Sequence, residues 1–167
     1  MRMTLRVFSL LAFLACMAFS AQERLPSVVP MTPGKAYDPL LSPAVAPPAP
    51  LDLTVTDTHR HREIPILVYL PAETNAAPVV LFSHGLGGTK EGSAYLGKHW
   101  SARGYVAVFL QHPGSDDGVW KNQQLRERNR AMREAASSPN FLLRVQDVPA
   151  VLDQLARWHE AKDHPLA

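Results

Sequence analysis

The stretch that decides the fold is Pro78-Val-Val-Leu-Phe-Ser-His-Gly-Leu-Gly-Gly88. Its first half is a short apolar run rich in β-branched and aromatic residues, which predicts a buried strand over residues 79–83. The run ends in a glycine-rich turn, and a helical pattern follows over residues 91–103. Because glycine has no Cβ, backbone N–H groups in such a turn can approach a ligand or a developing charge closely.

Two more strands are predicted before this stretch and one after it. Residues 51–57 alternate apolar and polar side chains, and residues 64–70 form a second run after a polar link, which predicts an antiparallel hairpin. Residues 105–110 are nearly all apolar, as in parallel strands that are covered on both faces.

Two helices are predicted in the last third of the chain, a polar one over residues 119–135 and an amphipathic one over residues 141–158. Pro149 disfavours a regular helix around it, so we expect the regular part to start near Asp147. The apolar stripe expected to face the sheet consists of Leu142, Val145, Val148, Leu152 and Leu155.

The N-terminus has the pattern of an export signal. Arg2 and Arg6 precede an apolar run over residues 7–19, and small residues allow cleavage before Ala21. We therefore expect residues 1–20 to be a signal peptide and the chain to be periplasmic or secreted. Cys16 lies in a poor version of a lipoprotein box, so lipid anchoring through this residue is a second hypothesis.

Residues 21–50 are rich in proline, with eight prolines between residues 25 and 50, and are expected to form a linker. The folded domain is then expected over residues 51–167. The net charge of +2 and the scattered basic residues give no reason to expect a nucleic-acid partner.

Three stretches resemble the platelet-activating-factor acetylhydrolase and dienelactone-hydrolase-like branch of the α/β-hydrolase superfamily. They are Asp57-Thr-His-Arg-His-Arg-Glu-Ile-Pro65, Phe82-Ser-His-Gly-Leu-Gly87 and Gly104-Tyr-Val-Ala-Val108. The resemblance covers about residues 51–160 and implies the N-terminal half of an α/β-hydrolase fold. This implies a mostly parallel sheet in the order 1-2-4-3 with helices on both faces. Strand two is expected to be antiparallel to strands three and four, and strand 78–83 is expected to be an open edge.

The resemblance also assigns roles to the glycine turn. It implies that the backbone N–H of Leu86 is one donor of an oxyanion hole, supported by His84, Gly85, Gly87 and Gly88. His84 is expected to brace the turn by a hydrogen bond rather than to act as a base. The alternative is a plain glycine turn that packs the strand against the helix.

No Gly-x-Ser-x-Gly motif occurs in the 167 residues. None of the serines near predicted loops has glycines on both sides at that spacing, and they are expected to be ordinary loop residues: Ser83, Ser93, Ser101 and Ser115. The resemblance implies that the nucleophile, the acid and the catalytic histidine follow Ala167. We therefore expect the 167-residue chain to be inactive by itself.

His112 and Asp116 follow the fourth strand, at the edge of the sheet where ligands of open α/β sheets bind. They are candidates for a substrate pocket. His59 and His61 could bind zinc, but without a third ligand a solvated hairpin tip, with Arg60 and Arg62 on its other face, is the preferred interpretation.

The predicted polar helix is basic, and it is either a solvated face or a peripheral contact with anionic lipid headgroups. No metal and no cofactor is expected. The leading hypothesis for function is an exported serine hydrolase that acts on a small-molecule or lipid-like carboxylic ester. The alternatives are a peptidase or lactone hydrolase of the same fold, and a non-catalytic surface or binding protein on a hydrolase scaffold.

Overall fold

The computed structural model describes residues 45–73 and 76–167, which belong to one compact unit spanning Leu40–Ala167. The predicted signal peptide and most of the predicted linker lie outside the described residues. The last part of that linker, residues 45–50, has no regular secondary structure. No helix among the described residues has the length and apolar character needed to span a membrane.

The described residues form four strands and three α-helices. They are β1 (Leu51–Asp57), β2 (Arg62–Tyr69), β3 (Val79–Ser83), α1 (Ala94–Ser101), β4 (Val106–Leu110), α2 (Leu125–Ala135) and α3 (Ser138–Glu160). A short 3-10 turn, Asp117–Val119, precedes α2. The helices α1 and α2 are therefore shorter than the predicted ranges, residues 91–103 and 119–135.

The strands form one sheet in the predicted order, β1-β2-β4-β3. The antiparallel hairpin of β1 and β2 is confirmed, as is the predicted antiparallel orientation of β2 to β4, and only β3 and β4 are parallel. The expectation of a mostly parallel sheet is therefore wrong for the described part. The reason is connectivity, because only the link from β3 to β4 contains the crossover helix that a parallel pair requires.

Helices cover both faces of the sheet, as predicted. Alternate residues of each strand point to opposite faces, so Ile66 and Val108 pack in one cluster with Val151 of α3. Phe109 and its neighbours on the opposite face pack against Trp100 of α1. In the described residues β3 pairs with β4 alone, so the predicted open edge is confirmed.

The long helix α3 differs from the prediction at its start and along its stripe. It begins at Ser138 rather than near Asp147 and continues through Pro149, because Ser137 caps it and packing on the sheet holds the turns around the proline. Of the predicted stripe, Val148 and Leu155 pack on the core. The other three members, Leu142, Val145 and Leu152, are exposed.

Candidate functional site

The glycine turn after β3 is held from two sides. The Gly87 N–H donates to the carbonyl oxygen of Ser115 at 2.8 Å, and the Gly88 N–H donates to the carbonyl oxygen of Gly85 at 3.0 Å. The indole N–H of Trp120 donates to the Gly87 carbonyl at 2.8 Å. Gly87 has a φ of +74°, a conformation that residues with a Cβ rarely adopt, so the tight path depends on this glycine.

Leu86 lies at the tip of this turn, with 41% of its surface exposed. Within the part of the chain that the structure describes, its backbone N–H has no hydrogen-bond acceptor, although the neighbouring Gly87 N–H is bonded. A cavity of about 400 Å³ opens beside it. The residues that line this cavity are Leu86, Ser115, Ala135, Ala136, Ser137, Ser138, Phe141 and Arg144.

His84 braces the start of the turn. Its Nε2 accepts the backbone N–H of His112 at 3.1 Å, and its Nδ1 lies 2.7 Å from the carbonyl oxygen of Gly85. Since Nε2 accepts, the network assigns the ring proton to Nδ1, which donates to Gly85. Burial lowers the pKa of His84, so the imidazole is neutral at physiological pH.

The structure also brings together three residues that the sequence analysis did not connect. The Ser83 Oγ lies 2.6 Å from Nε2 of His112. Nδ1 of the same imidazole lies 2.9 Å from Oδ2 of Asp147. The side chains of His112 and Asp147 are fully buried, whereas Ser83, the last residue of β3, is exposed.

Asp147 is the hub of a buried ion-pair cluster. Its Oδ1 accepts from Arg62 Nε at 2.7 Å and from Arg60 Nη1 at 3.0 Å, and its Oδ2 accepts from Arg62 Nη2 at 2.9 Å. Burial alone would raise the pKa of this carboxyl, but the hydrogen bonds from His112, Arg62 and Arg60 outweigh it and lower the pKa to about 2. Asp147 is therefore a carboxylate at any physiological pH.

This cluster corrects the interpretation of the hairpin tip. The arginines were expected to be solvated, but the side chains of Arg60 and Arg62 are only 19% and 13% exposed. Asp57 Oδ1 accepts the backbone N–H groups of His59 and Arg60, which fixes the turn. The Arg60 guanidinium then donates to the carbonyl oxygens of Leu143 and Gln146 on α3. The described residues contain no group of three or more potential metal ligands, so His59 and His61 do not belong to such a cluster.

Arg144 of α3 connects the cluster to the turn. Its Nη2 donates to Ser83 Oγ at 3.3 Å and also to the carbonyl oxygen of His84. The same side chain lines the cavity beside Leu86. A guanidinium therefore lies between the exposed serine hydroxyl and the cavity.

The two residues predicted to line a substrate pocket, His112 and Asp116, do not line the cavity beside Leu86. His112 is fully buried in the serine–histidine–aspartate contact, and Asp116 accepts a hydrogen bond from Gln111 at 3.0 Å. Asp116 also forms an isolated bridge with Gly88. Neither residue lines the cavity beside Leu86, and a pocket role for them stays a prediction.

Two signals in the sequence could have pointed to the missed residues. Asp147 lies four positions before Val151, so both occupy the face of α3 that packs on the sheet, where a carboxylate needs buried partners. Ser83 and His112 each lie at the carboxyl end of one of two adjacent parallel strands. Adjacent parallel strands bring such residues to the same edge of the sheet.

Comparisons with known proteins give one likeness of fold. No protein-family model matches the chain, and no curated protein matches it in sequence. A search of solved structures finds the crystal structure of a dienelactone hydrolase from Anabaena variabilis ATCC 29413, with 15% sequence identity and a TM-score of 0.47. The match covers 66% of this chain and 45% of that one, so the chain spans less than half the length of the hydrolase. The likeness concerns the fold alone.

Proposed function

We propose that this chain is part of an exported carboxylic-ester hydrolase and that the backbone N–H of Leu86 is a donor of its oxyanion hole. The observation that supports the proposal most directly is that the backbone N–H of Leu86 has no hydrogen-bond acceptor among the described residues, whereas the N–H groups of the next two residues are hydrogen-bonded. The turn holds Gly87 and Gly88 through their own backbone bonds and leaves this one donor beside the cavity.

A donor of this kind acts on the transition state of acyl transfer. Negative charge develops on the carbonyl oxygen of the ester as the tetrahedral intermediate forms, and a donor that is already oriented stabilises that charge without reorganisation. Removal of one such donor typically lowers kcat by about 100- to 1,000-fold. The two hydrogen bonds of Gly87, one through its N–H and one through its carbonyl, supply the rigidity that such a donor needs.

The proposed substrate is a small-molecule or lipid-like ester, because the cavity beside Leu86 combines four apolar residues with three serines and the cation of Arg144. Export rests on the predicted signal peptide. N-terminal sequencing of the protein from its host should give Ala21 as the first residue, and an intact Met1 would contradict export through this segment.

The test compares two glycines with the same backbone conformation, Gly87 at φ +74° and Gly104 at φ +85°. A Cβ at Gly87 would lie 3.0 Å from Nε1 of Trp120, the indole that holds the Gly87 carbonyl, and 2.7 Å from the flexible end of Met132, whereas a Cβ at Gly104 would meet no atom within 4 Å. The chain and the longest form of the protein that contains it are assayed with p-nitrophenyl acetate and longer acyl esters. Gly87→Ala should lower kcat by up to about 100- to 1,000-fold with little change in KM, and Gly104→Ala should leave both constants nearly unchanged.

Equal activity of Gly87→Ala and the wild type would contradict the role of this turn. Absence of ester hydrolysis in every form of the protein would refute the proposed function. Hydrolysis of peptides or lactones without ester hydrolysis would assign the protein to one of the alternative activities.

A further inference from the structure

We propose that the cavity beside Leu86 is a carboxylate-binding site, in which Arg144 and Ser115 hold the acid product of the reaction and make that acid a competitive inhibitor. The inference rests on the proposed function for the source of the ligand, because hydrolysis of an ester with water releases an alcohol and a carboxylic acid. Carboxyl groups have pKa values of about 4, so the released acid gives its proton to solvent and is an anion at neutral pH. A cation in the cavity therefore attracts the product more strongly than the neutral ester.

Arg144 is a guanidinium without an anionic partner. Its Nη2 donates to Ser83 Oγ and to the carbonyl oxygen of His84, and both acceptors are uncharged. In the part of the chain that the structure describes, its Nη1 and Nε donate to no acceptor. Since a guanidinium has five N–H donors and Nη2 carries two of them, three remain for a ligand.

The carboxylate that lies nearest to Arg144 along α3, that of Asp147, does not neutralise this cation. It is occupied by three other side chains, those of Arg60, Arg62 and His112. Partial burial accordingly lowers the pKa of Arg144, and the charge of Asp147 offsets this only in part. None of the described residues that line the cavity is acidic. A partly buried cation that lacks a counter-ion favours an anionic ligand beside it.

Ser115 supplies a second donor to the same cavity. Only 2% of its surface is exposed, and within the described ranges its hydroxyl has no hydrogen-bond partner. No fully buried polar side-chain atom of the described residues lacks a partner, so the exposed fraction of Ser115 includes its Oγ. The backbone is fixed, because its N–H donates to the carbonyl oxygen of His112 and its own carbonyl accepts from Gly87. Ser115 lines the cavity, and its hydroxyl is therefore held ready for a ligand there.

The backbone N–H of Leu86 makes the bound acid an inhibitor. In the proposed oxyanion hole this N–H stabilises the carbonyl oxygen of the ester in the transition state. The carboxylate formed by hydrolysis keeps that oxygen, so the same N–H serves the product. The side chains of Ala135, Ala136 and Phe141 line the cavity as well and provide apolar contacts for a short alkyl chain. A retained acid therefore occupies the donor that the next ester needs.

The first test is an NMR titration of the 15N-labelled 167-residue chain with sodium butyrate, against sodium chloride at the same ionic strength. The amide signals of Leu86 and Ser115 should shift with butyrate only. Butyramide, which has nearly the same shape but no charge, should bind at least about 10-fold more weakly. Equal affinity for butyrate and butyramide would overturn the proposal.

Three variants assign the binding to the named residues. Arg144→Gln should weaken butyrate binding by about 10- to 100-fold, and Ser115→Ala should weaken it by about 2- to 10-fold. Arg157→Gln is the matched control, because it removes the same charge from an exposed position of the same helix, and it should bind butyrate like the wild type. Equal affinity of Arg144→Gln and the wild type would contradict the site.

Arg144 also contacts the start of the turn, so a second substitution separates binding from local structure. Arg144→Lys keeps the charge and should retain more butyrate affinity than Arg144→Gln, whereas equal losses in both variants would contradict recognition by charge. The amide signal of Gly87 reports whether the turn is intact in each variant. Where Arg144→Gln does not fold, the comparison of butyrate with butyramide on the wild type decides.

The second test is product inhibition in the longest form of the protein that hydrolyses p-nitrophenyl butyrate. Butyrate should raise KM without lowering kcat, and its inhibition constant should increase by about 10- to 100-fold in Arg144→Gln. No inhibition at butyrate concentrations that saturate the NMR titration would refute product retention. A preference for mono-p-nitrophenyl succinate over p-nitrophenyl butyrate, without inhibition by butyrate, would instead assign Arg144 to a carboxylate of the substrate and overturn the proposal.

The two proposals fail in different ways. Butyrate binding to the 167-residue chain without turnover of an ester in any form of the protein supports the carboxylate site and refutes the proposed function. Ester hydrolysis without butyrate binding supports the proposed function and refutes the carboxylate site.

Discussion

Replacement of Asp147 by asparagine tests how far the buried ion-pair cluster stabilises the fold. Asp147 accepts four hydrogen bonds from three side chains, at 2.7 to 3.0 Å, and is fully buried. Asparagine has nearly the same shape but carries no charge and offers one acceptor oxygen fewer. The variant therefore leaves Arg62 partly buried without a carboxylate, whereas Arg60 keeps its ion pair with Asp57.

The magnitude follows from two independent estimates. A carboxyl whose pKa falls from 3.8 to about 2 on folding contributes about 2 kcal/mol to the free energy of unfolding, at about 1.36 kcal/mol per pH unit. Removal of one partner of a buried ion pair typically costs about 3–5 kcal/mol, because the remaining charge is left uncompensated. We expect Asp147→Asn to lower the free energy of unfolding by about 3–5 kcal/mol at pH 7.

The pH dependence has a definite sign. Because folding lowers the pKa of Asp147, its contribution is fully present above about pH 5 and is lost as the pH falls through 3.8 towards 2. The stability difference between the wild type and the variant should therefore shrink by about 2 kcal/mol between pH 6 and pH 2.

The assay is urea unfolding followed by circular dichroism at several values of pH. Asp153→Asn is the matched control, because Asp153 is an exposed carboxylate on the same helix, and it should change stability by less than about 0.5 kcal/mol. A loss below about 1 kcal/mol for Asp147→Asn, or parallel pH profiles of variant and wild type, would show that the cluster does not stabilise the fold in this way.

Two further substitutions test the packing and the open edge. Gly97→Ala should lower the melting temperature and the free energy of unfolding, the latter by about 1–3 kcal/mol, because the new Cβ would clash with the ring of Tyr69. This clash outweighs the gain of about 1 kcal/mol that alanine brings to a helix. A higher melting temperature would contradict the close packing of α1. Open apolar edge strands tend to pair with other chains, so Val79→Lys, which places a charge on β3, should reduce self-association measured by sedimentation velocity. Tyr95→Lys is the control, because Tyr95 is an exposed apolar residue on α1, away from the sheet. Equal effects of the two lysines would show that the edge is not the associating surface.

The parts of the fold that were predicted correctly are those that depend on the order of apolar and polar residues within a short stretch of sequence. Alternation in β1 and the uninterrupted apolar run of β4 reflect which face of each strand is buried, and that information is local. The order of the strands came from the family resemblance. The helix α3 was placed too late because Pro149 dominates local propensity, whereas packing of Val148 and Val151 decides its extent.

The candidate site was predictable only where it is continuous in sequence. The glycine turn could be found because its residues are consecutive, and its geometry follows from Gly87 at positive φ. The contacts of Ser83 with His112 and of His112 with Asp147 join residues 29 and 35 positions apart. No short motif records such contacts, because they exist only once β3, β4 and α3 have packed together.

The ion pair of Arg62 with Asp147 also bears on the order in which the chain folds. It joins residues 85 positions apart, and the entropy cost of closing a loop grows with the logarithm of its length. The hairpin of β1 and β2 closes over only a few residues and can form early. We expect amides of this hairpin to become protected from hydrogen exchange before the Gly87 N–H, so the turn reaches its final geometry only after β4 and α3 have packed on the hairpin.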